Sequence, residues 1–390
     1  MLADVLLAFT AASTPLSISG MQIGIVALAV LAAAGVGRSW NVVRRTPLDG
    51  VLALCAGVLA LSTVASGHVL QANDWLRQWI ALAYFVAFWW LRDRDHARRL
   101  ALVVVIAGGV AGAYGILQHF TGADWYRALV GVKTRALPRV AGAEGFAVVG
   151  FFRNYLTFAH AMIFPLAWAG AFAVAGSVTA AIAAVLIAFA VIFSTARGVW
   201  LAAVAGGALL AGLSGRRGVV LLGAGVVVAA IAVTWSAGLR EQAAPIFTLG
   251  GENTARLEIW RANLDIIHDH PLLGLGYGYY RGAPAAPYYD RHPDADRRSH
   301  AHSNVLQVAA EGGLLGLAAL CLVFAVILRR GFGAIASARS PGEWATVVGG
   351  CTGMVTFLLA GLTQYNFGDA EVAIGMWITT AVLMRCAEDA

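Results

Sequence analysis

The sequence predicts an all-α, polytopic membrane protein of about twelve transmembrane helices, with a large outward loop that carries short helices. Three observations predict it. The 390 residues are 59% hydrophobic and 12% charged, where an ordinary soluble domain carries roughly 25% charge. The mean hydropathy is +0.74. Apolar runs long enough to cross ~30 Å of hydrocarbon recur at roughly 3–18, 21–37, 49–66, 74–91, 99–119, 157–175, 178–195, 197–213, 218–236, 303–328, 343–365 and 369–386.

The first run is short and contains Pro15. It lacks the basic start of a signal peptide, so it reads as a helix. The runs to residue 119 and from 157 to 236 follow one another closely, and the 45 glycines spread through the spans suit close helix packing. With no internal repeat and no soluble appendage, residues 1–390 read as one transmembrane domain. Its long connections are an outer loop at 120–156 and a larger one at 237–302. Loop 120–156 is too long for a simple connection, so part of it is expected to pack on the membrane surface.

Charge sets the orientation. The net charge is +6, and of 27 basic residues only Lys133 is lysine. Thirteen arginines fall on one side, in short loops or helix ends: Arg38, Arg44, Arg45, Arg92, Arg94, Arg98, Arg99, Arg216, Arg217, Arg329, Arg330, Arg339 and Arg385. Most of the others lie in the two long loops, which cross largely regardless of charge. Both termini are therefore expected in the cytoplasm, and both long loops outside. Such basic patches argue for anionic lipid or phosphate, not nucleic acid. The four cysteines, Cys55, Cys321, Cys351 and Cys386, lie in or at the ends of apolar spans, so they read as packing residues rather than a disulfide framework.

Within loop 237–302, the segment Asn253 to His268 carries Leu257, Trp260, Leu264 and Ile267 at spacings of three and four. That predicts an amphipathic helix with Arg256, Glu258, Arg261 and Asp265 elsewhere on its surface. Asn253 or Thr254 can cap it, and Pro271 follows its end. A glycine-rich, aromatic turn comes next, Leu272-Leu-Gly-Leu-Gly-Tyr-Gly-Tyr-Tyr280, and a proline tract leads to His302.

The stretch His300-Ala-His302-Ser303-Asn304 puts two imidazoles where this loop enters a membrane helix. Histidine titrates nearest neutrality and can take a proton from a hydroxyl. Ala309, Gly313 and Gly316 lie seven, eleven and fourteen residues beyond His302, close to one helical face. They predict a small-residue seam against another helix, topped by His302. The imidazole is then either a general base or an interfacial anchor. Arg197, in the tight hairpin Ser194-Thr-Ala-Arg-Gly198, lies on the outer side against the charge bias. It is a phosphate ligand or a snorkelling anchor. Arg256, at the start of the loop helix, is an anion ligand through its planar fork or part of a solvated face.

Further candidates for substrate contact are Arg135 and Arg139 beside Lys133, Asn154, His300 and Tyr277, the last with Tyr279 and Tyr280. Asn154 and His160 can equally satisfy nearby backbone, the favoured reading for His160. The tyrosines can equally form an interfacial belt. The pairs His268/His270, Asp294/Asp296 and His300/His302 look like ligand material. Pairs two apart without a defined third ligand are a weak metal signal, so neither metal nor cofactor is expected.

A His302-Ser303 pair, nine residues, then Gly313-X-X-Gly316 at the end of a large outer loop resembles the signature of the O-antigen ligase family. Ser-Thr-Ala-Arg197-Gly, Arg256-Leu-Glu-Ile-Trp260 and His270-Pro-Leu-Leu-Gly-Leu-Gly276 resemble further landmarks of that family, in the same order. The similarity covers about residues 150–320 by motif and the whole chain by topology. It implies a metal-independent glycosyltransferase of the GT-C type at the periplasmic face of the bacterial inner membrane. It implies a donor glycan on undecaprenyl pyrophosphate and an acceptor sugar hydroxyl on lipid A–core. By the same resemblance His302 matches the catalytic histidine, and Arg197 and Arg256 match the arginines that hold the pyrophosphate. The motif leaves His300 without a role. Direct displacement would invert the anomeric centre. O-antigen polymerases and bacterial protein O-oligosaccharyltransferases share much of the pattern. A lipid-linked glycan transporter fits less well, because transporters place ionisable groups near the midplane. Here the clearest is Glu311, about 13 Å below His302 by helical rise.

Overall fold

The computed structural model describes all residues except 40, 68–78, 132–136, 141–144, 236, 245–251, 279–283, 296–299 and 389–390. The described residues form α1 (Leu2–Ser13), α2 (Ile18–Gly35), α3 (Asp49–Ala65), α4 (Leu82–Trp90), α5 (Arg94–Thr121), α6 (Trp125–Leu129), α7 (Tyr155–Ala161), α8 (Ile163–Val174) and α9 (Val178–Phe193). There follow α10 (Arg197–Ser214), α11 (Arg216–Trp235), α12 (Ala237–Ala243), α13 (Glu252–Asp269), α14 (Ala286–Asp290), α15 (Asn304–Ile335), α16 (Pro341–Ala360) and α17 (Ala370–Glu388). Local chemistry sets many of the starts. Ser17, Asp93, Asn154, Ser177, Ser303 and Ser340 each accept the backbone N–H three residues on, as N-caps.

The chain is an all-α polytopic membrane protein. Among the described residues eight helices are long and apolar enough to cross a bilayer: α2, α5, the α7–α8 run, α10, α11, α15, α16 and α17. The other four predicted runs coincide with shorter apolar helices, α1, α3, Trp79–Trp90 and α9. Close approach rests on small residues, as helix packing in lipid requires. A Cβ on Gly112 of α5 would meet the backbone of Leu186 on α9 at 2.8 Å. Trp168 of α8 is buried, and its Nε1–H donates to the Thr346 carbonyl of α16 at 2.9 Å. Cys55, Cys351 and Cys386 are buried, while Cys321 is exposed.

One end of the bundle gathers arginines against carbonyls. Arg94 donates to the Ser337 carbonyl at 2.7 Å and pairs with Glu343. Arg385 and Arg44 both donate to the Leu91 carbonyl, at 2.7 and 3.2 Å. At the other end, residues 147–152 of loop 120–156 fold into the protein. Ala147, Val148, Val149 and Phe152 are buried. Gln118 ties the loop down, donating to the Gly150 carbonyl and accepting its N–H at 2.8 Å.

The large loop has its own small core, built from Ile259, Ala262 and Ile266 of α13, Leu275, Tyr288 and Tyr289. The predicted helix at 253–268 exists, but its buried face differs. Leu257 and Leu264 are exposed, whereas Ile259, Ala262 and Ile266 are buried. Apolar residues occupy two faces of this helix, so spacing alone does not say which one turns inward.

The second correction concerns α15. The small-residue seam predicts a continuous helix, yet Gly313 takes φ 66° and ψ −172° and breaks it. Residues 271–276 fill the break. Leu275 N–H donates to Ala310 O at 2.9 Å and Gly276 N–H to Glu311 O at 3.0 Å, while Leu314 N–H donates to Pro271 O at 2.8 Å. Ser62 Oγ of α3 bridges Leu273 O and Glu311 O, at 2.5 and 2.9 Å. The loop backbone thus replaces the ladder bonds the break removes, which buried polar groups require. Glycine is needed on both sides. A Cβ on Gly313 would strike the Leu272 backbone, and one on Gly274 would lie 2.5 Å from Glu311 C. Gly316, with Gly312, does pack against a helix, through Leu59 of α3. Gly313→Ala is therefore expected to lower stability by about 3 kcal/mol and to open the 271–276 segment to protease. A melting temperature equal to wild type would contradict this role.

Candidate active site

His302 sits at the top of α15, immediately before the cap residue Ser303. Its φ is 48°, and Thr195, two residues before Arg197, has φ 63°. Among the described residues these are the non-glycine residues in the left-handed region, a conformation that costs about 1–3 kcal/mol and persists only where surroundings enforce it. The enforcement at His302 is visible. Ala301 O accepts Trp260 Nε1–H of α13 at 3.1 Å, and Ala301 N–H donates to Gln307 Oε1 at 2.8 Å. Gln307 in turn donates to Glu311 Oε1 at 2.9 Å. His302 N–H donates to His300 Nδ1 at 3.1 Å, and Asn304 N–H donates to Gly361 O at 2.7 Å.

The turn after α16 joins the predicted residues. Thr363 packs on Gly198, the neighbour of Arg197, closely enough that a Cβ there would strike its Oγ1. The Thr363 carbonyl lies 3.5 Å from Arg256 Nη1. The next residue, Gln364, has Oε1 2.9 Å from His302 Nδ1 and Nε2 3.3 Å from His300 Nε2. Two consecutive residues therefore contact the Arg197 turn, Arg256 and both histidines. Arg197 itself opens α10 and Arg256 lies in the first turns of α13. Both are half-buried.

His300 and Tyr277 line a cavity of about 1050 Å³. Gln307 and Glu311 border it, and its apolar wall includes Leu59 of α3, Phe85 of α4, Phe324 of α15 and Trp377 of α17. The other sequence candidates stand apart. Asn154 Oδ1 caps α7 by accepting Thr157 N–H at 2.8 Å. Arg139 is exposed and lies over the Phe146 ring, 5.6 Å from its centroid. His160 is buried, with Nδ1 2.8 Å from Leu156 O, the backbone partnership favoured by its sequence. Arg135, Lys133, Tyr279, Tyr280 and Asp296 fall outside the described residues. Among the described residues no group of three or more His, Cys, Asp or Glu is placed to hold a metal. His268 pairs with Asp269, and His270 faces the Tyr288 ring.

Residues 361–369 are the part the sequence reading missed. The apolar run at 343–365 predicts a span to residue 365, whereas α16 ends at Ala360. The available signal was the polar string Thr363-Gln-Tyr-Asn366 between two apolar runs. Asn366 anchors this turn, accepting from buried Asn304 at 2.7 Å and donating to Phe357 O at 3.0 Å. Nearby Asp369 accepts from Thr157 at 2.9 Å. Burial pushes its carboxyl up to about 6, against the Thr157 hydrogen bond. On the large loop, His292 bridges Glu258 and Asp265 of α13 at 3.0 and 3.1 Å. Burial lowers its basicity, but the two carboxylates outweigh that and hold it raised. This imidazole fastens the loop to the helix that carries Arg256.

Two outcomes follow for stability. Asn304→Ala strands the buried Asn366 amide and should cost about 1–3 kcal/mol, read as a lower melting temperature. Asp369 is protonated more readily folded than unfolded, so wild-type stability should fall as pH rises from about 4 through 6. Asp369→Asn should remove that fall, gaining up to about 3 kcal/mol above pH 6 and nothing near pH 4. Parallel melting curves across this pH range would refute the assignment.

No curated protein matches the chain. Residues 182–321 match the family model described as O-antigen ligase, a segment that runs from α9 through Arg197, α13 and His302 into α15. Over that segment, about a third of the chain, the protein is similar to the O-antigen ligase family.

Proposed function

We propose that this protein is an O-antigen ligase. It transfers a glycan from undecaprenyl pyrophosphate to a sugar hydroxyl of lipid A–core, by a single displacement that inverts the anomeric centre. The observation that carries the reading is the turn at Thr363-Gln364, which contacts Gly198, Arg256 and His302 beside a large, mostly apolar cavity. The cavity accommodates part of a polyprenyl chain between α3, α4, α15 and α17. Its polar mouth, with His300 and Tyr277, receives the diphosphate and the first sugars.

The chemistry follows from charge. As the acceptor oxygen attacks, negative charge grows on the departing pyrophosphate. Arg197 at the N-terminus of α10 and Arg256 early in α13 offer planar guanidinium forks, with the dipole of α10 adding to the first. A stabilised diphosphate leaves without an acid. The acceptor hydroxyl needs a base, and neutral His302 takes its proton. The arginines do the neutralising, so the reaction needs no divalent metal. The arginine-lined end described above then faces the cytoplasm with both termini. The site faces the periplasm across the inner membrane.

Reconstitution of the purified chain with an undecaprenyl-pyrophosphate glycan and lipid A–core, in the presence of chelator, tests this directly. Glycan on the core identifies a ligase. A lengthened lipid-linked glycan identifies the polymerase alternative, and glycan on a protein the O-oligosaccharyltransferase. His302→Ala should lower kcat by about 10²–10⁴ while insertion and melting temperature hold. Arg197→Lys should lose about 10²-fold or more, because an ammonium lacks the planar fork. Near-normal transfer by His302→Ala would remove the base from the mechanism.

A further inference from the structure

We propose that Gln364 is the positioning residue that makes His302 a base, by accepting the Nδ1 proton and so leaving the lone pair on Nε2. The inference rests on the reading of His302 given above and adds to it the group that selects the tautomer.

A neutral imidazole carries one proton and can hold it on either nitrogen. The group facing Nδ1 decides which. Gln364 is buried, 8% exposed, and its amide lies between the two histidines. An amide has an accepting end and a donating end. With Oε1 toward His302, at 2.9 Å, the ring proton sits on Nδ1. With the amide reversed, the NH₂ would donate to Nδ1 and the proton would move to Nε2, where the ring can no longer take one from a hydroxyl.

His300 makes the choice consequential. Its Nδ1 already accepts the His302 main-chain N–H at 3.1 Å. A neutral ring has one accepting nitrogen, so with Nδ1 accepting, Nε2 carries the proton, and its 3.3 Å contact with the Gln364 amide nitrogen sets two donors against each other. The reversed amide would improve that contact by letting His300 donate. It would also fail when His302 becomes imidazolium, because two donors would then meet at Nδ1. The oxygen-forward amide serves both the base and its protonated form without reorganisation, which is what a preorganised site requires. The turn holds it there, since Asn366 is bonded to Asn304 and to the Phe357 carbonyl.

The test measures kcat, donor KM and the pH profile of glycan transfer, using the full chain in lipid with an undecaprenyl-pyrophosphate glycan and lipid A–core. Gln364→Met keeps the length and removes the acceptor. It should lower kcat at least tenfold with donor KM within about twofold, as a wrong-tautomer base does. Gln364→Glu keeps an acceptor and adds charge. It should stay active, with its acid limb moved to higher pH by about one unit, because the carboxylate favours imidazolium. Full kcat in Gln364→Met overturns the proposal. So does equal loss in both variants with an unmoved pH profile, which makes Gln364 a packing residue. A folded Gln364→Glu with no transfer overturns it too, in favour of the reversed amide. Should Gln364→Met not fold, the Gln364→Glu profile decides alone. If His302→Ala is inactive while these variants match wild type, only this proposal falls; an active His302→Ala removes the underlying reading.

Discussion

The large loop is joined to the helix that carries His302 through one broken turn. A spanning helix cannot leave backbone groups unbonded in an apolar interior, where each costs several kcal/mol. α15 breaks at Gly313 and recovers its bonds from the backbone of residues 271–276. That exchange ties the large loop to the helix that carries His302. It also helps to seat α13, which ends at Asp269, two residues before Pro271. Trp260 on Ala301 O and Arg256 on Thr363 O add further ties between α13 and the start of α15.

Above the break the site is over-determined rather than merely adjacent. The left-handed residues Thr195 and His302 flank the candidate site, and side-chain hydrogen bonds to backbone surround each of them. Ser194 bonds the Val191 carbonyl at 2.6 Å, and Trp200 Nε1–H donates to the same carbonyl at 2.9 Å, closing the α9–α10 turn. Trp260 and Gln307 hold the Ala301 peptide from both sides. The 361–369 turn then connects the two strained turns to each other.

The fold was legible in the sequence because apolar runs of spanning length are a one-dimensional signal. The twelve runs all meet helices, though four of these are shorter than a straightforward crossing. His302, Arg197 and Arg256 stand out in the sequence because histidine and arginine at an apolar boundary are costly, and the structure links all three through the turn at Thr363-Gln364. Three things were not. Gly313 reads as a packing residue, since spacing cannot distinguish a glycine that admits a helix from one that admits a loop backbone. The buried face of α13 was ambiguous, with Leu257 and Leu264 competing with Ile259 and Ile266. Gln364 is neutral, common and joined to a hydrophobic run, and its importance comes only from partners 62 and 64 residues away.

The central claim of the proposed function is that Arg197, Arg256 and His302, which lie beside the cavity rather than in its lining, meet a single diphosphate. The most direct measurement is a structure of the full chain in lipid with undecaprenyl pyrophosphate bound. The account predicts phosphate oxygens within hydrogen-bonding reach of both Arg197 and Arg256, the leaving oxygen turned toward the side where His302 Nε2 lies, and the polyprenyl chain along Leu59, Phe324 and Trp377. A diphosphate held by the arginines at the opposite end of the bundle, or one that touches neither Arg197 nor Arg256, would contradict it.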